Sequence, residues 1–277
     1  MTNHMQRFWD FAIRVYHLDD LLDGVEDSRP NTRYATKDLL AKLISGIAIG
    51  IPSFNQFESA IQDGDFDGIG GRNRPSADTI ERRLASLELS ELARILDAIV
   101  QAARYNRSLG QTRVAGYRVV AIDGTGVFTT RSERLGHEGH FRQDVHGETT
   151  DQALYLEHAL AVSYVSADGP NLILDLVRIP KGQGETTVAR RVMADLFQRL
   201  CRFCDIVTVD SLYAQAPFIN EVVRQHKDIV VRVKQENYNI IQDADQLFAR
   251  QQPHEQYTGI KLRKESSVAF DLEIWDD

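Results

Sequence analysis

The hydrophobic pattern of the chain changes its period near residue 115, and this change constrains the fold more than any other feature. Before it, apolar residues recur every three or four positions, which predicts amphipathic helices. After it, short β-rich runs alternate with helical segments, which predicts a mixed sheet flanked by helices. We therefore expect an all-α region over residues 1–115, an α/β region over residues 116–250 and two further strands within residues 251–277.

The first region divides into several helical segments. Residues 36–50 carry apolar side chains at helical spacing, with Thr36 as the candidate N-cap. Residues 53–62 repeat the pattern, and residues 76–105 predict two helices with a break near Leu89. The α/β region therefore follows a stretch that is helical throughout.

Two aspartates of the α/β region follow directly on apolar strands. Asp123 comes after Val-Val-Ala-Ile, and Asp210 comes after Ile-Val-Thr-Val. Open α/β sheets bind ligands at the carboxyl ends of such strands, and carboxylates held there suit a hard cation such as Mg²⁺. Two such ions can activate a nucleophile and stabilise a leaving oxygen in phosphoryl transfer. Each aspartate could instead cap the turn after its strand, and the Asp123-Gly124 pair favours a turn.

The residues around both aspartates resemble a known family. VVAIDGTG at residues 119–126 and VTVDSLYA at residues 207–214, with PKGQGETTVARRVMADLFQRL between them, are similar to the motifs of the insertion-sequence-four-like DDE transposases. The resemblance implies a bacterial enzyme with a ribonuclease-H-like catalytic core that cuts and joins double-stranded DNA with Mg²⁺, or with Mn²⁺. It also implies a homodimer on two element ends, with Asp123 and Asp210 as the first two members of a metal-binding, catalytic carboxylate triad.

The third carboxylate of that family is a Glu on a helix after a β-rich insertion, and its surrounding motif has no counterpart here. The resemblance implies that residues 251–277 are the start of this insertion, so we expect the chain to stop before this Glu. An active transposase and a truncated, catalytically inactive remnant that only binds element DNA are the two resulting hypotheses. A third is an α/β protein of unrelated chemistry in which both aspartates are structural.

Three further side chains are candidates for accessory roles. Glu185 begins a predicted helix and could position metal or DNA, although an acidic residue in a first helical turn is also favoured by the helix dipole. His137 and His140 are predicted to lie in the loop between the first two strands, as metal ligands, DNA contacts or plain polar residues. Cys201 and Cys204 lack the second ligand pair of a zinc site, so we expect them to fill the core.

Arginines cluster at two places in the helical region, and both clusters are candidates for DNA contact. Ser76 is predicted to cap the helix of the first cluster, and a capped helix N-terminus beside arginines suits a phosphate. Alternatively, these side chains form the solvated faces of helices. The candidates are Arg72, Arg74, Arg82 and Arg83 in the first cluster, and Arg104 and Arg107 in the second.

The net charge of −8 excludes a broad basic surface over the whole molecule. Most of the excess, 24 acidic against 18 basic side chains, lies in residues 118–277, where metal-binding carboxylates are required. Two cysteines cannot build a disulfide framework, and neither a signal peptide nor a long apolar run is present. We therefore expect a cytoplasmic protein with no membrane partner, associated with the nucleoid when it binds DNA.

Overall fold

The computed structural model describes most of the chain in two compact units, residues 1–113 and residues 114–277. The described residues are 2–26, 33–108, 113–130, 140–145, 148–168, 171–180, 182–199, 203–233, 239, 242–243, 246, 255–258 and 265–268.

Within the described part of the first unit, every regular element is an α-helix, as the sequence predicts. The apolar faces of these helices meet in one core, which includes Trp9, Leu22, Leu39, Phe57 and Ile61. In the part that the structure describes, no helix is both long and apolar enough to span a membrane. The helices are α1 (Thr2–Tyr16), α2 (Leu18–Asp23), α3 (Thr36–Ala48), α4 (Phe54–Asp63), α5 (Ala77–Leu84) and α6 (Leu89–Tyr105).

The helix ends follow local chemistry closely. Ser53 and Ser76 cap α4 and α5, and each side chain accepts a hydrogen bond from the amide three residues further on. Thr36 is not a cap, because Ala35 occupies that position and makes no side-chain bond. The predicted break near Leu89 is confirmed, since α6 begins there.

The second unit is built on a mixed sheet of six strands in the order β2-β3-β1-β5-β6, with β4 also paired to β3. β1, β3 and β4 pair antiparallel, whereas β1, β5 and β6 pair parallel. β7 and β8 form a separate antiparallel pair. The elements are β1 (Val119–Thr130), β2 (His140–Val145), β3 (Glu148–Val165), β4 (Leu172–Arg178), α7 (Glu185–Arg199), β5 (Ile206–Asp210), α8 (Ala216–Arg224), β6 (Asp228–Arg232), β7 (Glu255–Thr258) and β8 (Glu265–Val268).

Two strand predictions are wrong. β1 does not end at Asp123 but continues to Thr130, because the long strand β3 offers it antiparallel backbone partners over that whole length, and this ladder outweighs the turn preference of Asp-Gly. His140 begins β2 instead of lying in a loop, since its backbone also pairs with β3.

Some sequence predictions fall outside the described residues. His137 and Cys201 are among them, and the side chain of His140 is also outside the described part. Cys204 is buried, as predicted for a core cysteine.

The core of the second unit forms between the central strands and the apolar side of α7. On the strands, Val120, Ile122 and Val207 are at most 1% exposed. On α7, Val188 and Met193 are fully buried. The first residue of α7 is therefore held in place by the packing of the turns that follow it.

Candidate active site

The parallel pairing of β1 and β5 brings the two strand aspartates together. Ala121 pairs with Thr208, an offset of 87 residues. Asp123 and Asp210 are separated by the same 87 residues, so the register places them opposite each other just beyond the paired segment. Neighbouring strands lie about 4.8 Å apart where they pair, and β1 and β5 separate beyond Ala121 and Thr208. Asp123 is exposed and Asp210 is partly exposed, so both can meet a ligand.

A salt bridge at the start of the two strands supports this register. Arg118 precedes β1 and Asp205 precedes β5; the Arg118 Nε and its backbone N–H both donate to Asp205 Oδ2, each at 2.8 Å. The Asp205 N–H donates in return to the Arg118 carbonyl at 2.8 Å. The Arg118 guanidinium lowers the pKa of Asp205 to about 2, so the bridge is fully charged at neutral pH.

Asp210 has a structural role beside its candidate catalytic one. Its Oδ1 accepts a hydrogen bond from the Leu212 N–H at 2.9 Å, and Asp210 thereby caps the 3-10 turn Ser211–Tyr213. This is the turn-capping role that the sequence allows. A carboxylate offers about four acceptor sites on its two oxygens. The cap uses one of them to orient the group, and the other sites can still bind a cation.

Glu185 lies against the residue that follows Asp123. Its Oε1 accepts a hydrogen bond from the Gly124 N–H at 3.1 Å. Because the β1–β5 pairing ends at Ala121, the Gly124 amide has this carboxylate as its partner instead of a β5 carbonyl. Glycine is required at residue 124, since a Cβ there would lie 2.8 Å from Oε1 and closer still to Oε2.

The phenol of Tyr213 completes the arrangement. Its ring is fully buried against Phe218, with ring centroids 4.9 Å apart, and its hydroxyl donates to Glu185 Oε1 at 2.5 Å. Burial raises the pKa of Tyr213, and the hydrogen bond to Glu185 and the charges of Asp123 and Asp210 raise it further. The hydroxyl therefore keeps its proton, and all three carboxylates lie near enough to act on it.

Tyr213 is not among the residues predicted from the sequence. The Asp-x-x-Tyr spacing of DSLYA, directly after an apolar strand, is the signal that could have indicated it. Its hydrogen-bond partner lies 28 residues earlier in the chain, so the role itself depends on the fold.

Asp123, Asp210 and Glu185, which we call the carboxylate cluster, fit a hard divalent cation. They offer only carboxylate oxygens, the ligands that Mg²⁺ prefers in proteins. Glu185 also occupies the space that a side chain at Gly124 would fill, so the third carboxylate reaches the backbone of the strand that carries the first.

A tighter acidic group in the first unit does not fit a metal as well. Among the described residues, only Asp19, Asp20 and Asp23 form a set of three possible ligands whose atoms all lie within 4.8 Å of one another. Lys37 Nζ lies 2.6 Å from Asp19 and 2.7 Å from Asp23, so a protein cation already pairs with two of these three carboxylates. The ligand atoms of the carboxylate cluster do not all lie within 4.8 Å of one another.

Two of the predicted DNA-binding arginines are engaged within the first unit. Arg83 is 1% exposed and donates to the Glu26 carbonyl at 2.8 Å; its predicted DNA contact is wrong, because the fold buries the guanidinium. Arg74 makes two hydrogen bonds to Asp67, at 2.5 and 3.0 Å. The exposed members of this cluster are Arg72 and Arg82.

The second arginine cluster lies at an open groove of about 990 Å³ between the ends of α1 and α6. Arg14 and Arg104 line the groove together with Phe11 and Tyr105. Tyr105 is 88% exposed and Phe11 is 46% exposed. Exposed aromatic rings beside basic side chains are typical of surfaces that stack bases and neutralise phosphates. Arg107, just beyond α6, is also exposed.

Comparison with known proteins finds transposases among the solved structures. The piggyBac transposase in its synaptic complex with hairpin DNA aligns with 90% of this chain and 54% of its own, at 11% identity and a TM-score of 0.36. The Mos1 transposase in a paired-end complex with the left transposon end aligns with 82% of this chain and 74% of its own, at 12% identity and a TM-score of 0.26.

No protein-family model matches the chain, and no curated protein matches it significantly. The chain spans about half the length of the piggyBac transposase, 54%. TM-scores below 0.5 do not establish a common fold. A functional assignment therefore has to be based on the residues of this chain.

Proposed function

We propose that this chain is a DNA transposase of the insertion-sequence-four-like type that cleaves DNA and transfers strands at element ends. The single observation that carries the proposal is the β1–β5 register, in which Ala121 pairs with Thr208, each two residues before an aspartate. The family motifs around both aspartates support it. So does the mixed sheet, with its first strands antiparallel and its last strands parallel, which is compatible with a ribonuclease-H-like core.

In this proposal Asp123 and Asp210 would hold Mg²⁺ or Mn²⁺. Bound divalent cations lower the pKa of an attacking water and stabilise the leaving oxygen of a phosphodiester. The chain supplies rigid positions for the two carboxylates. The Arg118–Asp205 bridge keeps the strands in register, and the Leu212 amide orients Asp210.

The helical unit would bind the DNA. Its proposed phosphate contacts are the exposed Arg72, Arg82 and Arg107 and the partly exposed Arg104. A homodimer on two element ends completes the proposal, because joining two ends requires two sites. Such a protein would act in the bacterial cytoplasm, at the nucleoid.

The test is Mg²⁺-dependent nicking of element-end DNA by the protein and by its Asp123→Asn and Asp210→Asn variants. We expect each variant to lose at least about 100-fold in cleavage rate, since each removes a charged ligand without changing side-chain volume. Asp195→Asn is the matched control. Asp195 lies on α7, is 62% exposed and pairs with Arg199, so its variant should cleave normally.

Undiminished cleavage by either site variant would overturn the assignment of that aspartate. DNA binding with no metal-dependent cleavage by the wild-type protein would overturn the enzymatic proposal and favour the DNA-binding remnant. A salt-dependent affinity without chemistry is the signature of that second function.

A further inference from the structure

The chain carries a third carboxylate close to the two aspartates, on an element where the family resemblance does not place one. The resemblance puts the last catalytic Glu on a helix after a β-rich insertion. In this fold, Glu185 at the first position of α7 reaches the backbone of β1. We propose, on the basis of the proposed function, that Glu185 is a further metal-binding carboxylate beside Asp123 and Asp210, and that Tyr213 is the positioning residue that orients it.

Glu185 lies beside the β1–β5 pair of the sheet. The β1–β5 ladder ends at Ala121 and Thr208, and beyond that point the Gly124 N–H donates to Glu185 Oε1. Glu185 therefore lies where the two strands separate. Asp123 and Asp210 flank the same gap, one on each strand.

The two carboxylate oxygens of Glu185 have different hydrogen-bond partners. Oε1 accepts both hydrogen bonds, from the Gly124 N–H at 3.1 Å and from the Tyr213 hydroxyl at 2.5 Å. Among the described residues, no group donates to Oε2. A carboxylate whose one oxygen is held by two donors presents the other in a fixed direction, which is how outer partners orient a metal ligand.

Buried residues hold both Glu185 and Tyr213 in place. Glu185 begins a helix whose next buried residues, Val188 and Ala189, are fully enclosed. Tyr213 is itself fully buried and packs against Phe218. A partly exposed Glu held this way has little conformational freedom to lose when it meets a cation.

The residue that follows Asp123 is a glycine, Gly124. A Cβ at residue 124 would overlap the Glu185 carboxylate, so only glycine lets that carboxylate approach the strand. Gly124 does not have a left-handed φ, and its requirement is therefore one of space and not of backbone conformation.

The experiment measures Mn²⁺ binding to the full chain by calorimetry, without DNA, for wild type and for Glu185→Gln, Tyr213→Phe and Gly124→Ala. We expect Glu185→Gln to weaken binding about 10-fold to 100-fold, and Tyr213→Phe to weaken it about 10-fold. Gly124→Ala should displace Glu185 and weaken binding as Glu185→Gln does. The gain in melting temperature on adding Mn²⁺ should shrink in the same order.

Glu221→Gln is the matched control. Glu221 lies on α8, is 21% exposed and pairs with Arg224 at 3.2 Å, so its variant should bind Mn²⁺ as wild type does. Glutamine at residue 185 keeps a carbonyl oxygen for both donors, so this variant retains the local hydrogen bonds.

The outcomes separate this inference from the proposed function. If Asp123→Asn and Asp210→Asn weaken Mn²⁺ binding but Glu185→Gln does not, the role of Glu185 is overturned and the aspartate site stands. If Glu185→Gln weakens binding and Tyr213→Phe does not, the positioning role of Tyr213 is overturned. If none of these variants changes Mn²⁺ binding, the metal site and the proposed function both fail.

Discussion

Lys42 shows how one buried charge organises a loop in the helical unit. Its side chain is fully buried on α3, and Nζ donates to the carbonyls of Phe66, Ile69 and Gly71 at 3.1, 2.6 and 2.7 Å. Burial lowers the pKa of Lys42 to about 8. Three carbonyls and one ammonium group therefore hold the loop after α4, and this loop leads to the exposed Arg72.

We expect Lys42→Met to destabilise the protein by about 2–4 kcal/mol, because it leaves buried carbonyls without a donor. Urea denaturation followed by circular dichroism measures this change. Lys37→Met is the control, since Lys37 makes partly exposed ion pairs with Asp19 and Asp23 and should lose about 1 kcal/mol or less. Equal losses in the two variants would show that Lys42 does not organise the loop.

At the scale of elements, the parallel pair β1–β5 depends on a contact outside the strands themselves. The Arg118–Asp205 bridge joins the residues just before the two strands. The carboxylate cluster lies beyond the other end of their paired segment. A shift of one residue in this register would move Asp123 away from Asp210 and turn neighbouring side chains to the opposite face.

The bridge makes a pH-dependent contribution to stability. The pKa of Asp205 is lowered from 3.8 to about 2 in the folded protein, so its stabilising effect is complete above pH 4 and is lost as the pH falls from about 4 to about 2. After allowance for an aspartate that is 28% exposed, we expect a contribution of about 1–2 kcal/mol.

Urea denaturation of wild type and Asp205→Asn at pH 6 and pH 2.5 measures this contribution. Wild type should be the more stable at pH 6, and the difference should shrink at pH 2.5. Asp195→Asn, at an exposed pair on α7, should show a small difference at both pH values. A wild-type advantage that is unchanged at pH 2.5 would contradict the role of the bridge.

For the whole molecule, a net charge of −8 requires that any DNA contact be local. The groove that holds Arg14 and Arg104, with its exposed Tyr105, is the local surface that we propose for this contact. Each phosphate neutralised by a protein cation contributes about −0.9 to the slope of log affinity against log salt.

We therefore expect Arg14→Gln and Arg104→Gln each to weaken DNA binding and to reduce the magnitude of that slope by about 0.9. Fluorescence anisotropy with labelled element-end DNA between 50 and 200 mM salt, a range of about fourfold, measures the slope. Arg224→Gln removes one exposed charge from α8 and should leave it unchanged. Equal slopes for all variants would place the DNA contacts elsewhere.

The sequence by itself determined the periodic elements and the pair of aspartates. Helical spacing in the first unit depends on local side-chain order, so α3 to α6 could be predicted with small errors at their ends. Asp123 and Asp210 could be selected as candidates because each follows a short run of apolar residues. The two aspartates are 87 residues apart, and so are the residues that pair between β1 and β5. This pairing is visible only in the structure.

Only the tertiary structure decided the rest. The continuation of β1 to Thr130 comes from its long-range ladder with β3, and the burial of Arg83 comes from a bond to Glu26, 57 residues away. Glu185 meets Gly124 across 61 residues. The physical reason is the same in each case: hydrogen bonds between segments distant in the chain outweigh local preferences of turn, helix end or surface, and no local pattern encodes them.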